Sequence, residues 1–289
     1  MDILATVRVL MEVSIMNIQA KTALVTGASR GIGRAIALEL ARQGIQRVVL
    51  VARDRSRLEQ AAAEVEALGA EAVVLPLDLT ETVAVNIAIA QAWRDHGPID
   101  LLVNCAGVAY QVPFLEARLS QVQEEIALNL IGNYTITRLI ARRMVRQGGG
   151  RIVNVSSLMG KVASPTMATY SATKFALLGF TQALRSELAA HNIQVTALLP
   201  SLTDTDMVRG LKLFRWVLPM TPQKVARVLV SNLDQNATEI LVGWQSHLTV
   251  WCLRIAPGLL EWLIRLAAPA DIQPLPPPLG LSPIGATRS

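Results

Sequence analysis

Short apolar runs alternate with longer amphipathic stretches along most of this chain. The runs are continuous series of Val, Ile and Leu, as in strands that are covered on both faces. Seven predicted strands follow this pattern: Thr22–Thr26, Arg47–Val51, Ala72–Leu77, Leu101–Asn104, Arg151–Ser156, Gln194–Leu199 and Glu239–Val242. The stretches between them predict helices that include Gly33–Gln43, Arg55–Leu68, Val83–Arg94, Gln121–Arg146 and Thr169–Ala190.

The order of these elements predicts the fold class. Repeated strand–helix units favour a parallel sheet with right-handed crossovers. We therefore expect an α/β protein with a Rossmann-like, doubly wound, seven-stranded parallel sheet over residues 17–243. Residues 1–16 are interpreted as an N-terminal extension and 244–268 as an apolar helical extension. The Pro-rich residues 269–289 are expected to form a disordered tail.

Composition narrows the class of protein. Hydrophobic residues make up 52% of the chain and charged residues 17%, which excludes intrinsic disorder for most of it. No apolar run reaches the ~18 residues of a spanning helix. The net charge of +5 is not concentrated in a basic patch with aromatic residues, so we expect no nucleic-acid partner. Cys105 and Cys252 lack metal-ligand spacing, so we expect no metal site and a reducing compartment.

The turn between the first predicted strand and helix is a candidate dinucleotide site. Glycines there allow a pyrophosphate to approach the backbone, and the helix N-terminus supplies N–H groups. The spacing is G-x-x-x-G-x-G rather than G-x-G-x-x-G, and an ordinary tight turn is the alternative. The candidate cofactor-binding residues in this turn are Gly27, Ser29, Arg30, Gly31, Ile32 and Gly33.

The end of the second predicted strand indicates which dinucleotide binds. An acidic residue there would bind the ribose hydroxyls of NAD, but Ala52 is neutral and Arg53 follows it. The guanidinium groups of Arg30 and Arg53 suit a 2′-phosphate, which predicts NADP(H). Asp54 leaves an alternative open, since a shift of one residue would place an acid near the ribose.

Three residues further along predict proton-transfer chemistry. Tyr170 and Lys174 lie at i and i+4 on one helical face, and Ser157 ends the fifth predicted strand thirteen residues before Tyr170. Tyr170 is the predicted acid/base, and we expect the positive charge of Lys174 to lower its pKa. Ser157 is expected to donate a hydrogen bond to the substrate oxygen.

In this order, the glycine turn, Ser157, Tyr170 and Lys174 resemble the short-chain dehydrogenase/reductase superfamily from about Lys21 to Val242. The resemblance implies an NADP(H)-dependent oxidoreductase that transfers hydride between nicotinamide and a ketone or secondary alcohol. It also implies that Lys174 holds the nicotinamide ribose.

The same resemblance implies further site residues. Asn129 would complete the catalytic group by anchoring a water relay to the lysine, and Asp78 would contact adenine. Asn104 and Gly107 match a strand-end motif in which Cys105 replaces the usual second Asn. Thr205 would lie near the nicotinamide amide.

Two apolar segments point to the substrate. Residues 206–220 occupy the family's lid region. Their apolar side chains predict a lipophilic substrate, either a 3-oxoacyl compound or a lipid-like carbonyl; packing in the core or against another subunit is the alternative.

In 244–268, Pro257 and Gly258 are expected to divide the segment into two helices, and Arg254, Glu261 and Arg265 fall on one polar stripe. We interpret this segment as a cover over the substrate cleft or an oligomer contact, with a membrane-surface element as the alternative.

Other functions stay open at this level. A non-catalytic NADP(H)-binding regulator and a peripheral membrane interaction protein are the rivals to an enzyme. The resemblance implies a homodimer or homotetramer formed through the helices Gln121–Arg146 and Thr169–Ala190. We expect a cytoplasmic protein, with peripheral membrane contact through 244–268 as an alternative.

Overall fold

The computed structural model describes residues 18–215 and 217–267. The predictions for residues 1–16, Trp216 and 269–289 lie outside the described residues, as does the side chain of Arg265 on which the polar stripe partly depends.

The described residues form one seven-stranded parallel sheet in the order β3-β2-β1-β4-β5-β6-β7. All neighbouring strands pair in parallel, which confirms the predicted fold class. The observed ends lie within a residue or so of the predicted ones, as is usual at strand ends. The strands are β1 Thr22–Thr26, β2 Arg47–Ala52, β3 Glu71–Pro76, β4 Leu101–Asn104, β5 Gly150–Val155, β6 Ile193–Pro200 and β7 Glu239–Val242.

The helices connect successive strands or follow the last one. They are α1 Gly31–Arg42, α2 Arg55–Ala67, α3 Thr82–His96, α4 Leu119–Ile126, α5 Asn133–Gln147, α6 Ala168–Leu188, α7 Pro222–Val230, α8 Trp244–Ile255 and α9 Pro257–Ala267. The split of the C-terminal segment at Pro257 is as predicted.

One predicted helix is not continuous. The sequence predicts a single helix over Gln121–Arg146, whereas the structure has α4 and α5 joined by a π-helical turn at Ala127–Gly132. The turn contains Asn129, whose side chain bonds away from the helix, as described below.

Apolar side chains bury both faces of the sheet. On one face, Ile36 of α1, Leu58 of α2 and Leu229 of α7 pack against the strands. On the other, Ile89 of α3 and Ile140 of α5 do so. This explains the continuous apolar character of the central strands, since both faces of each strand are covered.

From β1 the chain first builds the sheet toward β3 and then continues in the opposite direction from β4 to β7. In sheets of this kind ligands bind where the direction changes, outside the carboxyl ends of β1 and β4. A cleft opens there, with a volume of about 630 Å³. Among the described residues, no helix is both long and apolar enough to cross a bilayer.

Candidate active site

The glycine turn at the end of β1 forms one wall of the cleft and requires its glycines. Gly27 has a positive φ of 67°, and a Cβ there would lie 3.0 Å from the Ala106 Cα. A Cβ on Gly33 would lie 2.3 Å from the Gly27 carbonyl oxygen. Only glycine fits these two approaches of backbone to backbone. All six predicted residues of the turn line the cleft: Gly27, Ser29, Arg30, Gly31, Ile32 and Gly33.

Thr26, which the sequence analysis did not single out, fixes this wall to the next strand. Its buried hydroxyl oxygen accepts hydrogen bonds from the backbone N–H groups of Cys105 (2.9 Å) and Ala106 (3.0 Å). The hydroxyl therefore satisfies two donors just beyond β4 and sets the width of the crevice between β1 and β4.

Three arginines, not two, line the end of the cleft beside β2. Arg30 and Arg53 are there as predicted, and Arg57 in the first turn of α2 joins them. Asp206 is the counterion of two of them, with Nη1–Oδ2 distances of 3.3 Å to Arg30 and 3.6 Å to Arg57. The sequence shows Arg57 only as one of several charges near the start of a helix, so its orientation toward the cleft could not be read from it.

Two nearby acids have clear structural positions. Asp54 is the N-cap of α2, and its carboxylate accepts a hydrogen bond from the Arg57 backbone N–H at 3.1 Å. This use of the carboxylate, and the end of β2 at the neutral Ala52, argue against an acid on the ribose. Asp78 lines the cleft, accepts hydrogen bonds from Thr80 and lies 3.8 Å from the Arg53 guanidinium.

Ser157, Tyr170 and Lys174 converge at the floor of the cleft, beyond β5. The Ser157 Oγ accepts a hydrogen bond from the Met159 backbone N–H at 3.1 Å. Burial raises the pKa of Tyr170 to about 12, while a hydrogen bond with Ser157 acts in the opposite direction. The sequence predicts that Lys174 lowers this pKa, but in the structure the loss of solvation outweighs every opposing contribution, so the pKa is raised instead.

Lys174 is 5% exposed, and its ammonium group lies 5.5 Å from the centre of the Tyr170 ring. The Nζ donates a hydrogen bond to the Val155 carbonyl oxygen at 3.0 Å. Burial lowers the pKa of Lys174 from 10.5 to about 8. A half-buried thiol, Cys105, lies close enough to act on this charge, and burial raises its own pKa to about 12, so it remains protonated.

Asn129 supports this floor from behind. Its Oδ1 accepts from the Val108 N–H at 2.9 Å, and its Nδ2 donates to the Val108 carbonyl at 2.9 Å and to Thr173 at 3.2 Å. A Cβ on Gly107 would lie 3.1 Å from the Asn129 Oδ1 and 3.8 Å from the Lys174 Nζ. Asn129 thus joins the loop after β4 to the helix that carries Tyr170 and Lys174.

Asn104 does not line the cleft. Its buried Nδ2 donates to Thr137 (2.7 Å) and to Asn154 (2.8 Å), and Asn154 in turn donates to Thr181. This chain of buried side chains ties β4 and β5 to α5 and α6. The structure thus places Asn104 beneath the site, while its neighbours Cys105, Ala106 and Gly107 line it.

We call the lining formed by residues 27–33 and the ends of β2 and β3 the cofactor half of the cleft. The substrate half consists of residues 205–215 and 217–219 together with α8 and α9. Thr205 lies where the two meet, with its Cγ2 3.2 Å from an ideal Cβ on Gly31. Pro200 and Leu202 flank Ser201, which has a negative φ and therefore no backbone strain.

The substrate half is lined mainly by apolar side chains. Its inner surface is formed by Met207, Val208, Leu211, Leu213, Phe214, Val217, Thr249, Leu260, Ile264 and Ala267. The Gln111 side chain bonds to the backbone N–H and carbonyl of Lys212, and the Arg215 N–H donates to the Ala267 carbonyl at 2.8 Å. The C-terminal helices therefore cover the cleft, the interpretation that the sequence favours.

Comparison with known proteins finds one matching family model and several related reductases. The short chain dehydrogenase family model matches residues 21–215. The ketoacyl reductase HetN of Nostoc is 35% identical over 226 residues, covering 77% of this chain and 78% of the relative. The 3-oxoacyl-[acyl-carrier-protein] reductase FabG of Aquifex aeolicus is 34% identical over 235 residues, covering 78% of this chain and 94% of the relative.

A solved structure resembles the whole fold. The crystal structure of a short chain dehydrogenase from Burkholderia cenocepacia in complex with NADP has a TM-score of 0.76 and 29% identity. The match covers 88% of this chain and 100% of that one. With the glycine turn, Ser157, Tyr170 and Lys174 gathered in one cleft, these matches show that the chain belongs to the short chain dehydrogenase family of oxidoreductases.

Proposed function

We propose that this protein is an NADP(H)-dependent carbonyl reductase acting on a lipophilic ketone, either a 3-oxoacyl compound or a lipid-like carbonyl. The observation that carries the proposal is the convergence of Ser157, Tyr170 and Lys174 in one cleft with the glycine turn. One half of that cleft is basic and the other is apolar, which matches the two ligands the reaction needs.

The cofactor half fits a dinucleotide with a 2′-phosphate. Gly27 and Gly33 allow the close backbone approaches that give the turn its shape. The N-terminus of α1, which has no side-chain cap, offers N–H groups to a phosphate beside that turn. Arg30, Arg53 and Arg57 supply cations for the phosphate, and Asp78 lines the adenine end. When bound, NADPH supplies the hydride that the carbonyl carbon receives.

Tyr170 supplies the proton that completes the reduction. With its pKa raised to about 12, the phenol keeps its proton at neutral pH and can donate it to the carbonyl oxygen as the carbon receives hydride. Ser157 donates a hydrogen bond to the same oxygen and stabilises its developing negative charge. The ketone thereby gains one hydride and one proton and becomes a secondary alcohol.

Lys174 contributes a positive charge and a hydrogen-bond donor at this point. Its burial beside Tyr170 means that the charge is poorly screened, so it favours a phenolate once the proton has left. Asn129 holds the loop and helix around it. In this proposal Lys174 also positions the nicotinamide ribose, and Thr205 the nicotinamide amide.

The apolar lining of the substrate half supports the substrate class. The relatives HetN and FabG are named as ketoacyl and 3-oxoacyl reductases, which fits a carbonyl attached to an apolar chain. α8 and α9 add Leu260 and Ile264 to that lining, so we place the acyl chain or lipid tail against these helices.

The proposal is tested by measuring NADPH oxidation with a series of 3-oxoacyl thioesters of increasing chain length. We expect wild-type protein to consume NADPH and form the 3-hydroxy product in equal amounts, and Tyr170→Phe to bind NADPH normally but turn over at least ~100-fold more slowly. If the wild type binds NADPH but reduces no carbonyl, the protein is a cofactor-binding regulator instead. Full turnover by Tyr170→Phe would also contradict the proposal.

Homo-oligomerisation through α4, α5 and α6 is part of the same proposal. Large apolar side chains on these helices and on the π-helical turn between α4 and α5 are exposed in the isolated chain, including Leu119 (69%), Ile131 (48%), Tyr134 (49%) and Phe175 (44%). Such a face is typical of a subunit contact. Light scattering should give a dimeric or tetrameric mass, and a monomeric mass would contradict it.

A further inference from the structure

The C-terminal helices present a second apolar surface, separate from the one that lines the cleft. On α8, Trp244, Leu248, Trp251 and Ile255 are spaced four, three and four residues apart and lie on one face. Their exposed fractions run from 48% for Leu248 to 65% for Trp244.

α9 continues this surface. Leu259, Trp262, Leu263 and Leu266 share one face and are 39–57% exposed. We call these eight side chains of α8 and α9 the C-terminal apolar surface. Eight exposed apolar side chains on two consecutive helices are more than scattered surface residues and are typical of a binding site.

The neighbouring stripe of the same helices faces the interior of the cleft. Leu260 is 7% exposed, and it lines the substrate half with Ile264 and Ala267. At 100° per residue this stripe is rotated by about 115° from the exposed one on α9. The C-terminal apolar surface and the apolar lining of the cleft are therefore adjacent sides of the same helix.

Charge beside this surface is of one predominant sign. Residues 205–219 contain three basic residues, Arg209, Lys212 and Arg215, and one acidic residue, Asp206, which pairs with Arg209 at 2.9 Å. The sequence of the C-terminal helices adds two basic residues, Arg254 and Arg265, and the acidic Glu261. This segment is joined to α9 by the hydrogen bond from the Arg215 N–H to the Ala267 carbonyl. Apolar side chains that include tryptophans, flanked by basic ones, are the composition that binds an anionic lipid surface.

We propose that the C-terminal apolar surface docks on an anionic lipid bilayer and opens the substrate half of the cleft toward it. The helices lie in the interface rather than crossing it, with the tryptophans at the level of the headgroups and the basic residues of 205–219 against lipid phosphates. Delivery of a membrane-dissolved carbonyl to Tyr170 rests on the proposed function; the docking itself does not.

Vesicle flotation of the full-length protein tests the docking. We expect wild-type protein to float with phosphatidylcholine–phosphatidylglycerol vesicles and to bind pure phosphatidylcholine about tenfold more weakly, because the basic residues lose their partners. The variant Trp251→Glu/Trp262→Glu should bind the anionic vesicles at least tenfold more weakly than the wild type.

The control variant is Val83→Glu/Ile87→Glu on α3. These residues are 73% and 55% exposed, comparable with Trp251 (60%) and Trp262 (55%), but lie on another helix. We expect it to float like the wild type, and circular dichroism should show both variants folded. Wild-type protein that stays in solution, or equal flotation of both double variants, would overturn the proposal. So would a tryptophan variant whose only change is a smaller oligomeric mass, since the surface would then be a contact between copies.

A parallel assay separates docking from chemistry. A long-chain ketone dissolved in anionic vesicles should be reduced at least fivefold more slowly by Trp251→Glu/Trp262→Glu, while a short, water-soluble ketone should be reduced at the wild-type rate. Flotation without turnover of any ketone would contradict the proposed function and leave the docking intact. Turnover of both ketones without flotation would contradict the docking alone.

Discussion

The two halves of the cleft are built in opposite ways. The cofactor half is made from strand ends and a glycine turn, and it is fixed by buried groups such as Thr26, which holds two backbone N–H groups. The substrate half is made from one long connection and two C-terminal helices. That connection is held to the loop after β4 by the hydrogen bonds of Gln111 with Lys212, and to α9 by the hydrogen bond of Arg215 with Ala267.

Because of this difference, we expect the two halves to tolerate substitutions differently. A cofactor whose phosphates approach the backbone requires fixed geometry, since a Cβ in the wrong place prevents binding. An apolar chain requires only apolar volume of suitable length. We therefore expect substitutions in the cofactor half to act sharply and those in the substrate half to act gradually.

The largest effect should come from closing the glycine turn. In Gly33→Ala the new Cβ would lie 2.3 Å from the Gly27 carbonyl oxygen, so the turn must move away from its cofactor-binding shape. We expect NADPH affinity, measured by fluorescence titration, to fall about 100-fold, because overpacking of this kind costs up to ~3 kcal/mol.

Gly210→Ala is the matched control in the substrate half. Apart from its chain neighbours, no heavy atom of the described residues lies within 4 Å of a Cβ at Gly210, so affinity for NADPH should stay within about twofold of the wild-type value. Equal losses in Gly33→Ala and Gly210→Ala would break the distinction between the two halves.

The next largest effect concerns the choice of cofactor. Arg57→Ala removes a cation from the end of the cleft, and we expect the Kd for NADPH to rise about tenfold or more while the Kd for NADH is unchanged. Arg55→Ala is the control, since Arg55 is exposed and pairs with Glu59 at 3.6 Å without lining the cleft. If both variants have similar effects, or if the wild type binds NADH and NADPH equally well, the arginines do not determine the preference for NADPH.

The pH dependence of carbonyl reduction tests the role of the Lys174 charge, at the floor of the cleft between the two halves. Lys174 has a pKa lowered by burial to about 8, so its ammonium group is charged below that pH and neutral above it. If the charge stabilises the developing alkoxide, kcat/KM for reduction should fall about tenfold between pH 7 and pH 9. In Lys174→Arg, whatever its absolute rate, that decline should move to higher pH because a guanidinium keeps its proton. A flat profile for the wild type over this range would contradict the role given to Lys174.

The smallest effect should lie in the substrate half. Ile264→Ala removes three carbon atoms from the apolar lining, and we expect kcat/KM for a long-chain ketone to fall about fivefold with little change for a short one. Leu263 lies one position away on the exposed face of α9, so Leu263→Ala should leave the turnover of the long-chain and the short ketone in solution unchanged. A loss that is the same for short and long chains would mean that α9 does not contact the chain.

The cofactor half was largely predictable from the sequence, for a physical reason. β1, β4 and β7 have the predicted ends, and the glycine turn lines the cleft as expected, because local backbone geometry dictates residue type at these positions. Ala52 also ends β2 as the ribose argument requires, and Asp54 proves to be a helix cap.

What the sequence could not supply depends on side-chain direction. Arg57 faces the cleft only because α2 begins at Arg55, and Asn104 turns away because Thr137 and Asn154 offer it buried partners. The π-helical turn around Asn129 and the contact of α9 with Arg215 likewise depend on tertiary packing, for which no local pattern exists.

Transfer of deuterium from labelled NADPH to a long-chain 3-oxoacyl thioester tests the central claim most directly. The account predicts one deuterium on the carbinol carbon of the product for each NADPH consumed by the wild type, and a loss of at least ~100-fold in that rate for Tyr170→Phe with an unchanged Kd for NADPH. NADPH binding without deuterium transfer to any carbonyl, or transfer that persists in Tyr170→Phe, would contradict it.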